Sequence, residues 1–369
     1  MRLLDAHDHL EPLPNTGERF LDALERSGLA GRGGAGFSTA TKWRAVARRS
    51  HGDAVIVANG AEGEPQSKKD RLLMTTRPHL IIDGAFVATR VLRARRTVLY
   101  IGERHEASFA SMSRALEERT EPERALVSFA AAPARYVAGA ENAAIHFLNE
   151  GVATPTTVPP YPFERGVGGA PTLVQNVETL AHVAMLARTG VLPGTILLTL
   201  AGALRRNGVV EVPVGTLVAD AVAVGGVERA PRAILVGGYF GRWMKAEDAL
   251  QLRLSPEVGI GCGVLGVLGD ERCPVCDTAG IMRYLAGESS AQCGPCFFGL
   301  RALGDACTRI AEQGTNPDDL KRLHRWAAEV RGRGACKHPD GAAVFLSSAL
   351  EVFERDFARH APHRARRSA

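Results

Sequence analysis

Short apolar runs rich in β-branched residues alternate with longer amphipathic segments in the first half of the chain. Buried strands are predicted over 54–58, 97–101 and 126–129, where apolar residues follow one another. Helices are predicted over 19–27, 78–93, 107–119 and 173–188, where apolar residues recur at helical spacing. Strands that alternate with helices are typical of a parallel sheet covered by helices. The predicted fold class of this half is therefore α/β.

The pattern changes after residue 190. Strands over 196–200, 209–212 and 233–236, with a helix near 217–224, predict a small α+β module. Residues 246–270 are expected to form a linker. Four helical segments follow at 278–286, 296–313, 318–331 and 341–359, and their short connections predict a helical bundle. The Pro- and Gly-rich stretch 151–171 is expected to be a long loop, and such loops are usually functional.

Composition narrows the class of protein. The 369 residues carry a net charge of only +5, and the clusters Arg93/Arg95/Arg96 and Arg364/Arg366/Arg367 contain no aromatic residues, so nucleic-acid binding is not expected. The longest apolar runs fall short of the roughly 20 residues that span a bilayer, so no transmembrane segment is expected. Seven cysteines in a large chain favour metal ligands or free thiols over disulfides. A cytoplasmic location is predicted, with peripheral attachment to the inner face of the membrane through a partner left open.

A glycine-rich stretch forms the first candidate site. Its glycines are Gly31, Gly33, Gly34 and Gly36. They let backbone N–H groups surround an anion without Cβ clashes, and a helix capped by Ser38 is predicted to add a partial positive charge. Arg32 and Lys42 can add full charges. The stretch matches neither a P-loop nor a Rossmann fingerprint, and alone it is compatible with a phosphate cradle or a flexible turn.

Polar residues follow the predicted strand 54–58 and form a second candidate site. Ligands of open α/β sheets bind at the carboxyl ends of the strands. Asn59 can read an amide or carbonyl edge, and Glu62 and Glu64 can bind ribose hydroxyls or a carboxamide. A solvated acidic loop is the alternative.

Together with later motifs, these stretches resemble the NADH-binding flavin subunit of respiratory Complex I and its soluble relatives in hydrogenases and formate dehydrogenases. That family reads GRGGAGFPTGxKW where this chain reads GRGGAGFSTATKW, and NADExEPxxxKDR where this chain reads NGAEGEPQSKKDR. Its later motifs GEET, PPFP and PTxxNVET face GAEN, PPYP and PTLVQNVET. The motifs keep their order over nearly the whole chain.

The resemblance implies three parts. These are a Rossmann-like FMN/NADH-binding domain over 1–190, a ubiquitin-like (soluble-ligand-binding β-grasp) module over 191–250, and a helical iron–sulfur domain over 270–360. It also implies FMN-binding positions, namely Gly31, Arg32, Gly33, Gly34, Gly36, Lys42, Asn59, Gly139 and Asn176. Phe37 and Tyr161 are expected to stack on the nicotinamide nucleotide, with Glu64 and Glu141 near its polar groups, and Glu62 is expected to contact the cofactors.

The chain departs from the family pattern at four positions near these motifs. The acid of NADE is Ala61 here, and the first acid of GEET is Ala140. A basic residue before PPFP is Val158, and an aromatic two residues after KW is Ala45. Either NADH binds more weakly than is usual in the family, or the donor differs.

The iron–sulfur motif also departs. The family's C-x-x-C-x-x-C becomes Ser290, Cys293 and Cys296, and Cys336 stands at the family's distant fourth position. Soft thiolates suit iron–sulfur clusters. Three readings stay open: a [4Fe–4S] cluster completed by serine or an outside ligand, a [3Fe–4S] cluster on three thiolates, or a lost cluster.

The remaining cysteines carry weaker signals. Cys273 and Cys276 form an additional C-x-x-C, which is either a redox pair, a ligand site or two ordinary thiols. Cys262 and Cys307 are expected in the core. His338, near Cys336, is expected at the surface, with a role beside the cluster as the alternative.

The function predicted from these features is electron transfer from NADH through FMN to a ferredoxin-like or membrane redox partner subunit, with an iron–sulfur cluster as a further carrier. The alternative is a flavin-binding or assembly subunit of a redox complex that does not oxidise NADH itself. No general acid or base is required for direct hydride transfer, so no catalytic side chain is predicted.

Overall fold

A computed structural model describes residues 2–4, 8–255 and 260–361 of the chain. The basic cluster Arg364/Arg366/Arg367 lies outside the described residues. No helix in the described part of the chain is both long and apolar enough to cross a bilayer.

A four-stranded parallel sheet forms the centre of the first half. Its strands are β1 (Ala54–Gly60), β2 (Ala94–Gly102), β3 (Val127–Ala132) and β4 (Thr172–Asn176). They lie in the order β3-β2-β1-β4, and Val57 of β1 pairs with Val98 on one side and Val174 on the other. The predicted parallel α/β class is confirmed.

Helices surround this sheet. Those in the described residues are α1 (Phe20–Arg26), α2 (Thr39–Ala47), α3 (Lys69–Thr76), α4 (Pro78–Val91), α5 (Glu106–Glu117), α6 (Glu121–Ala125), α7 (Glu141–Glu150) and α8 (Val177–Thr189). Helix α4 packs closely on α8, since a Cβ at Gly84 would lie 2.0 Å from the Leu180 carbonyl oxygen. The predicted helix over 173–188 is wrong at its start, because its first residues pair with β1 and the helix begins only after Asn176 caps it.

A second, five-stranded sheet follows. Its strands are β5 (Thr195–Gly202), β6 (Gly208–Pro213), β7 (Ala233–Val236), β8 (Arg242–Lys245) and β9 (Val264–Leu268). The order is β6-β5-β9-β7-β8, with β9 parallel to β5 and the other pairs antiparallel. The helices α9 (Val218–Gly225) and α10 (Ala246–Ala249) accompany it. The expected linker over 246–270 is wrong, because β9 is the central strand of this sheet.

The last part of the chain is helical, as predicted. It contains α11 (Pro274–Gly287), α12 (Leu300–Gln313), α13 (Pro317–Val330), α14 (His338–Val352) and α15 (Glu354–Arg359). A π-helical turn at Pro295–Gly299 leads into α12. One apolar cluster joins these helices, with Met282, Leu303 and Phe345 fully buried in it. The predicted segment 341–359 divides into two helices at Phe353.

Candidate functional site

Two asparagines meet at the carboxyl edge of the first sheet. Asn59 lies near the end of β1 and pairs in register with Asn176 at the end of β4. Asn59 donates a hydrogen bond from Nδ2 to the Gly139 carbonyl at 2.8 Å. Asn176 caps α8 by accepting from the backbone N–H groups of Glu178 and Thr179. Ligands bind at such strand ends in open parallel sheets, and the structure brings these three predicted site residues together there.

The glycine stretch forms a closed loop beside this edge. The Gly31 N–H donates to the Phe37 carbonyl at 2.9 Å, and the Arg32 N–H donates to Thr179 Oγ1 at 2.9 Å. The backbone N–H groups of residues 33–36 donate to no acceptor among the described residues. Exposed N–H groups on a loop anchored to the end of a sheet suit an anion such as a phosphate. Gly34 has a φ of +107°, which suits glycine and few other residues.

Lys42 lies between the glycine loop and the carboxyl edge of the sheet. Its ammonium group donates to the Glu141 carboxylate and to the Val174 carbonyl oxygen, the latter at 2.5 Å. Lys42 belongs to the helix that Ser38 caps, and Glu141 occupies the first turn of α7. The predicted pair of a cation and a carboxylate is therefore held at one place, partly open to solvent.

A buried ionic cluster supports the glycine loop from below. The Lys69 ammonium lies 2.6 Å from Asp70 Oδ1 and 2.9 Å from Glu178 Oε2, and all three side chains are less than a tenth exposed. Asn176 donates from Nδ2 to Asp70 Oδ2 at 2.7 Å. Burial acts to lower the pKa of Lys69, but the two carboxylates outweigh it and raise that pKa. Lys69 and Glu178 line a small cavity together with Gly34 and Gly36.

We expect Lys69→Met to lower the free energy of unfolding by about 3–5 kcal/mol, because two buried carboxylates then lose their counter-charge. Asp70→Asn is the matched control, since Lys69 keeps Glu178 as its partner, and its loss should be near 1 kcal/mol. Urea denaturation followed by circular dichroism measures both. Equal losses in the two variants would show that the ammonium does not neutralise this cluster.

The carboxylate of Glu62 faces the protein. Its Oε1 accepts from Ser67 Oγ at 2.7 Å and from the Asp70 N–H at 2.9 Å, and its Oε2 accepts from Arg71 Nε at 2.8 Å. These bonds satisfy free N–H groups of the first turn of α3. The side chain is 2% exposed. The structure gives Glu62 a role in holding α3, and its predicted cofactor contact stays a prediction.

Glu64 is buried among two tyrosines that the sequence motifs do not single out. Its Oε2 accepts from Tyr136 Oη at 3.0 Å and from the Tyr239 N–H at 2.8 Å. Burial raises the pKa of Glu64, and these two donors act in the opposite direction. Tyr136 lies three residues before Gly139, and this proximity to a predicted motif is its one signal in the sequence. The carboxylate is thereby fixed in direction.

The two predicted stacking residues are open to solvent. Phe37 is 59% exposed and Tyr161 is 46% exposed. Tyr161 stacks in parallel on Phe163 with ring centroids 5.4 Å apart, and Arg49 covers the Phe163 ring at 4.8 Å. Exposed rings of this kind offer faces for a planar ligand.

Three predicted cluster cysteines share one neighbourhood. Burial raises the pKa of the Cys336 thiol, and the nearby thiols of Cys296 and Cys293 raise it further. Cys296 is buried, and Ser289 Oγ lies 2.9 Å from its Sγ. The Ser290 side chain makes no hydrogen bond to the described residues. Three thiols beside a hydroxyl without a partner form a donor set that fits an iron–sulfur cluster.

His338 is buried, so the expectation of a surface histidine is wrong. It is 1% exposed, its Nε2 lies 2.8 Å from the Leu285 carbonyl, and its ring packs edge-on against Tyr136. Cys307 lies in the helical core as expected. Cys262 is half-buried instead, with its thiol 3.2 Å from the Gly237 carbonyl oxygen.

Two family models match the chain. The Nuo51 FMN-binding domain matches residues 24–185, and the iron–sulfur binding region of NADH-ubiquinone oxidoreductase-F matches residues 278–360. The first contains the glycine loop and both asparagines, and the second contains Ser290 and the three cysteines.

Whole proteins resemble the chain as well. The second F subunit of the NADH-quinone oxidoreductase of Rhizobium meliloti is 28% identical, over 95% of this chain and 90% of that protein. The NADH-quinone oxidoreductase F subunit of Salmonella typhimurium is 30% identical, over 92% of this chain and 84% of that protein. The crystal structure of an NAD⁺-reducing [NiFe]-hydrogenase in its H₂-reduced state matches with a TM-score of 0.85 and 30% identity, over 96% of this chain. This chain spans 64% of the hydrogenase chain.

Proposed function

The chain belongs to the family of NADH-quinone oxidoreductase F subunits, and from this premise we propose that it receives electrons from NADH on FMN and passes them to a redox partner subunit. The observation that carries the proposal is the glycine loop, whose free N–H groups lie beside the carboxyl edge of the parallel sheet. The matched family models confirm the predicted cofactors FMN, NADH and an iron–sulfur cluster.

The residues divide the binding work by their chemistry. The N–H groups of residues 33–36 hold the flavin phosphate, with Arg32 and Lys42 adding positive charge. The amides of Asn59 and Asn176 and the backbone at Gly139 position the ring system by hydrogen bonds. Phe37 and Tyr161 orient the nicotinamide nucleotide by stacking, with Glu64 and Glu141 at its polar groups. A flavin accepts two electrons together and releases them singly, and for hydride transfer the protein has to align and shield the two ring systems.

We expect Glu64→Gln to raise the KM for NADH about tenfold and leave the flavin content unchanged. A hydrogen bond to a charged group contributes about 1.5–3 kcal/mol, and the tyrosines that hold the Glu64 carboxylate lie outside the glycine loop. Steady-state reduction of ferricyanide by NADH measures the KM, and acid extraction measures flavin. Glu312→Gln, an exposed position on α12, is the control. An unchanged KM would show that Glu64 does not contact NADH.

The iron–sulfur cluster is held by Cys293, Cys296 and Cys336. The serine at the remaining position, Ser290, supplies a harder oxygen donor than sulfur. We infer that one iron of the cluster is held weakly. The cluster relays single electrons between the flavin and the partner.

The proposed domain division follows the sheets. The FMN-binding part covers about 1–190, and the helical iron–sulfur part covers about 270–360. The intervening module has the β6-β5-β9-β7-β8 order with parallel first and last strands, which supports a ubiquitin-like β-grasp and extends the module from 250 to β9.

The partner is proposed to be a ferredoxin-like or membrane redox subunit. Two exposed aromatic residues, Phe297 (50% exposed) and Phe298 (71% exposed), directly follow the buried cluster ligand Cys296. Exposed aromatic residues are typical energetic centres of interfaces. The free thiols favour a cytoplasmic location, with the partner providing any contact with a membrane.

We expect Phe298→Ser to raise the concentration of partner subunit needed for half-maximal electron transfer about tenfold, while NADH-dependent ferricyanide reduction stays at the wild-type rate. Val191→Ser, at another highly exposed apolar position, is the control and should change neither. Equal effects of the two substitutions would place the interface elsewhere.

A second candidate function rests on the departures from the family pattern. Ala45, Ala61, Ala140 and Val158 replace the polar, charged or aromatic residues of the motifs, which favours a subunit that binds flavin without oxidising NADH. Flavin extracted from the purified chain should be FMN, at about one per chain, under both functions. NADH-dependent ferricyanide reduction should be present under the first and absent under the second.

A further inference from the structure

A histidine far along the chain meets the additional C-x-x-C pair at one end of the helical part. Cys273 immediately precedes α11, Cys276 lies in its first turn, and His360 directly follows α15. One ligand atom from each side chain lies within 4.8 Å of the other two. The Cys273 Sγ is 3.7 Å from His360 Nδ1. The C-x-x-C is thus part of a three-residue cluster, separate from the iron–sulfur cysteines.

The histidine ring is oriented toward the thiols. Its Nε2 lies 3.1 Å from the Ala311 carbonyl oxygen. A carbonyl oxygen can only accept, so Nε2 carries the hydrogen and the lone pair of Nδ1 faces the thiols in the neutral ring. The His360 carbonyl is itself held by the Thr315 N–H at 2.9 Å. Histidine ligands of metals are typically fixed by such a bond from the other ring nitrogen to a carbonyl.

The thiol pair is also held in position. Cys273 Sγ accepts from the Cys276 N–H at 3.4 Å and so caps the N-terminus of α11. The backbone donor and the positive end of the helix favour negative charge on sulfur. Two thiolates and one imidazole are a ligand set that zinc accepts readily, with a fourth position left for water or another donor.

We propose that Cys273, Cys276 and His360 bind one Zn²⁺ ion in the full chain. The ion connects the start of α11 to the end of α15, across 87 residues of sequence. It fixes the first helix of this part against the chain that follows the last one. A redox-active disulfide would use the same two cysteines and would not require His360, so the histidine separates the two possibilities.

The test is the zinc content of the full-length protein, purified anaerobically with its cofactors and dialysed against a weak chelator. We expect about one zinc per chain by plasma mass spectrometry, with X-ray absorption at the zinc edge showing two sulfur ligands at about 2.3 Å and nitrogen or oxygen at about 2.0–2.1 Å. Cys276→Ser and His360→Ala should each retain less than a tenth of the zinc. Cys293→Ser is the matched control and should retain all of it.

Thermal unfolding gives a second readout that does not depend on the variants. Removing zinc from the wild-type protein with a strong chelator should lower its Tm by about 5 °C, and adding Zn²⁺ alone should restore it. Zinc that survives Cys276→Ser, zinc lost with Cys293→Ser, or a Cys273–Cys276 disulfide in the anaerobic protein would overturn the proposal. A zinc-edge spectrum with three or four sulfur ligands would overturn it as well.

Discussion

Gly34→Val is expected to reduce the FMN content of the purified protein from about one per chain to less than a tenth. Gly34 has a φ of +107°, and a Cβ added there would meet no atom closer than 3.8 Å. The fold therefore has room for the side chain, but the backbone must leave its present conformation at a cost of about 1–2 kcal/mol. A loop that moves no longer presents the N–H groups of residues 33–36 together. Extraction and chromatography of the flavin measure the loss.

The control for this substitution is another glycine with positive φ. Gly28 has a φ of +64°, open space around its added Cβ, and a position before the loop. Gly28→Ala should carry similar backbone strain and retain its full FMN. If Gly34→Val also retained full FMN, or if the wild-type protein released FAD, the glycine loop would not be the phosphate site.

Ser290→Cys is expected to raise the iron content after mild oxidation from about three to about four per chain. The Ser290 hydroxyl has no hydrogen-bond partner in the described part of the structure, so replacing it by sulfur disrupts no existing bond. Sulfur is a softer ligand for iron than oxygen. The restored thiolate should therefore hold the fourth iron, slow the loss of the cluster in air, and shift its reduction potential. Iron analysis and electron paramagnetic resonance measure these changes.

A thiol added elsewhere controls for non-specific iron binding. Ser113→Cys places one on α5, far along the chain from the cluster, and should leave the iron content unchanged. A stable four-iron cluster in the wild type, unaltered by Ser290→Cys, would show that another residue supplies the fourth ligand. Iron absent from both forms after anaerobic reconstitution would show that the cluster is lost.

The sequence predicts those elements whose burial leaves a local pattern. Strand β1 is apolar through most of its length because both of its faces are covered, and this run predicts it. Strand β4 escapes prediction because its five residues continue directly into the apolar periodicity of α8. Strand β9 escapes prediction because glycines interrupt the stretch that leads into it.

The site shows the same division between local and distant information. The glycine loop and Asn59 can be recognised because each lies within a short motif. The pairing of Glu64 with Tyr136 joins residues 72 positions apart, and His360 meets Cys273 across 87 positions. Such contacts depend on how the elements pack, and no local periodicity reports them. For the same reason the sequence favours a surface position for His338, although the helices bury it against Tyr136.

The central claim is that this chain itself oxidises NADH at its flavin. Stopped-flow absorbance of the anaerobic protein, mixed with NADH in the absence of any partner, tests it most directly. The account predicts that the oxidised-flavin absorbance is bleached within seconds, with about one NADH consumed per flavin before any slower phase. Flavin that stays oxidised under excess NADH, yet is bleached by dithionite, would contradict the claim and leave a flavin-binding subunit that takes its electrons from elsewhere.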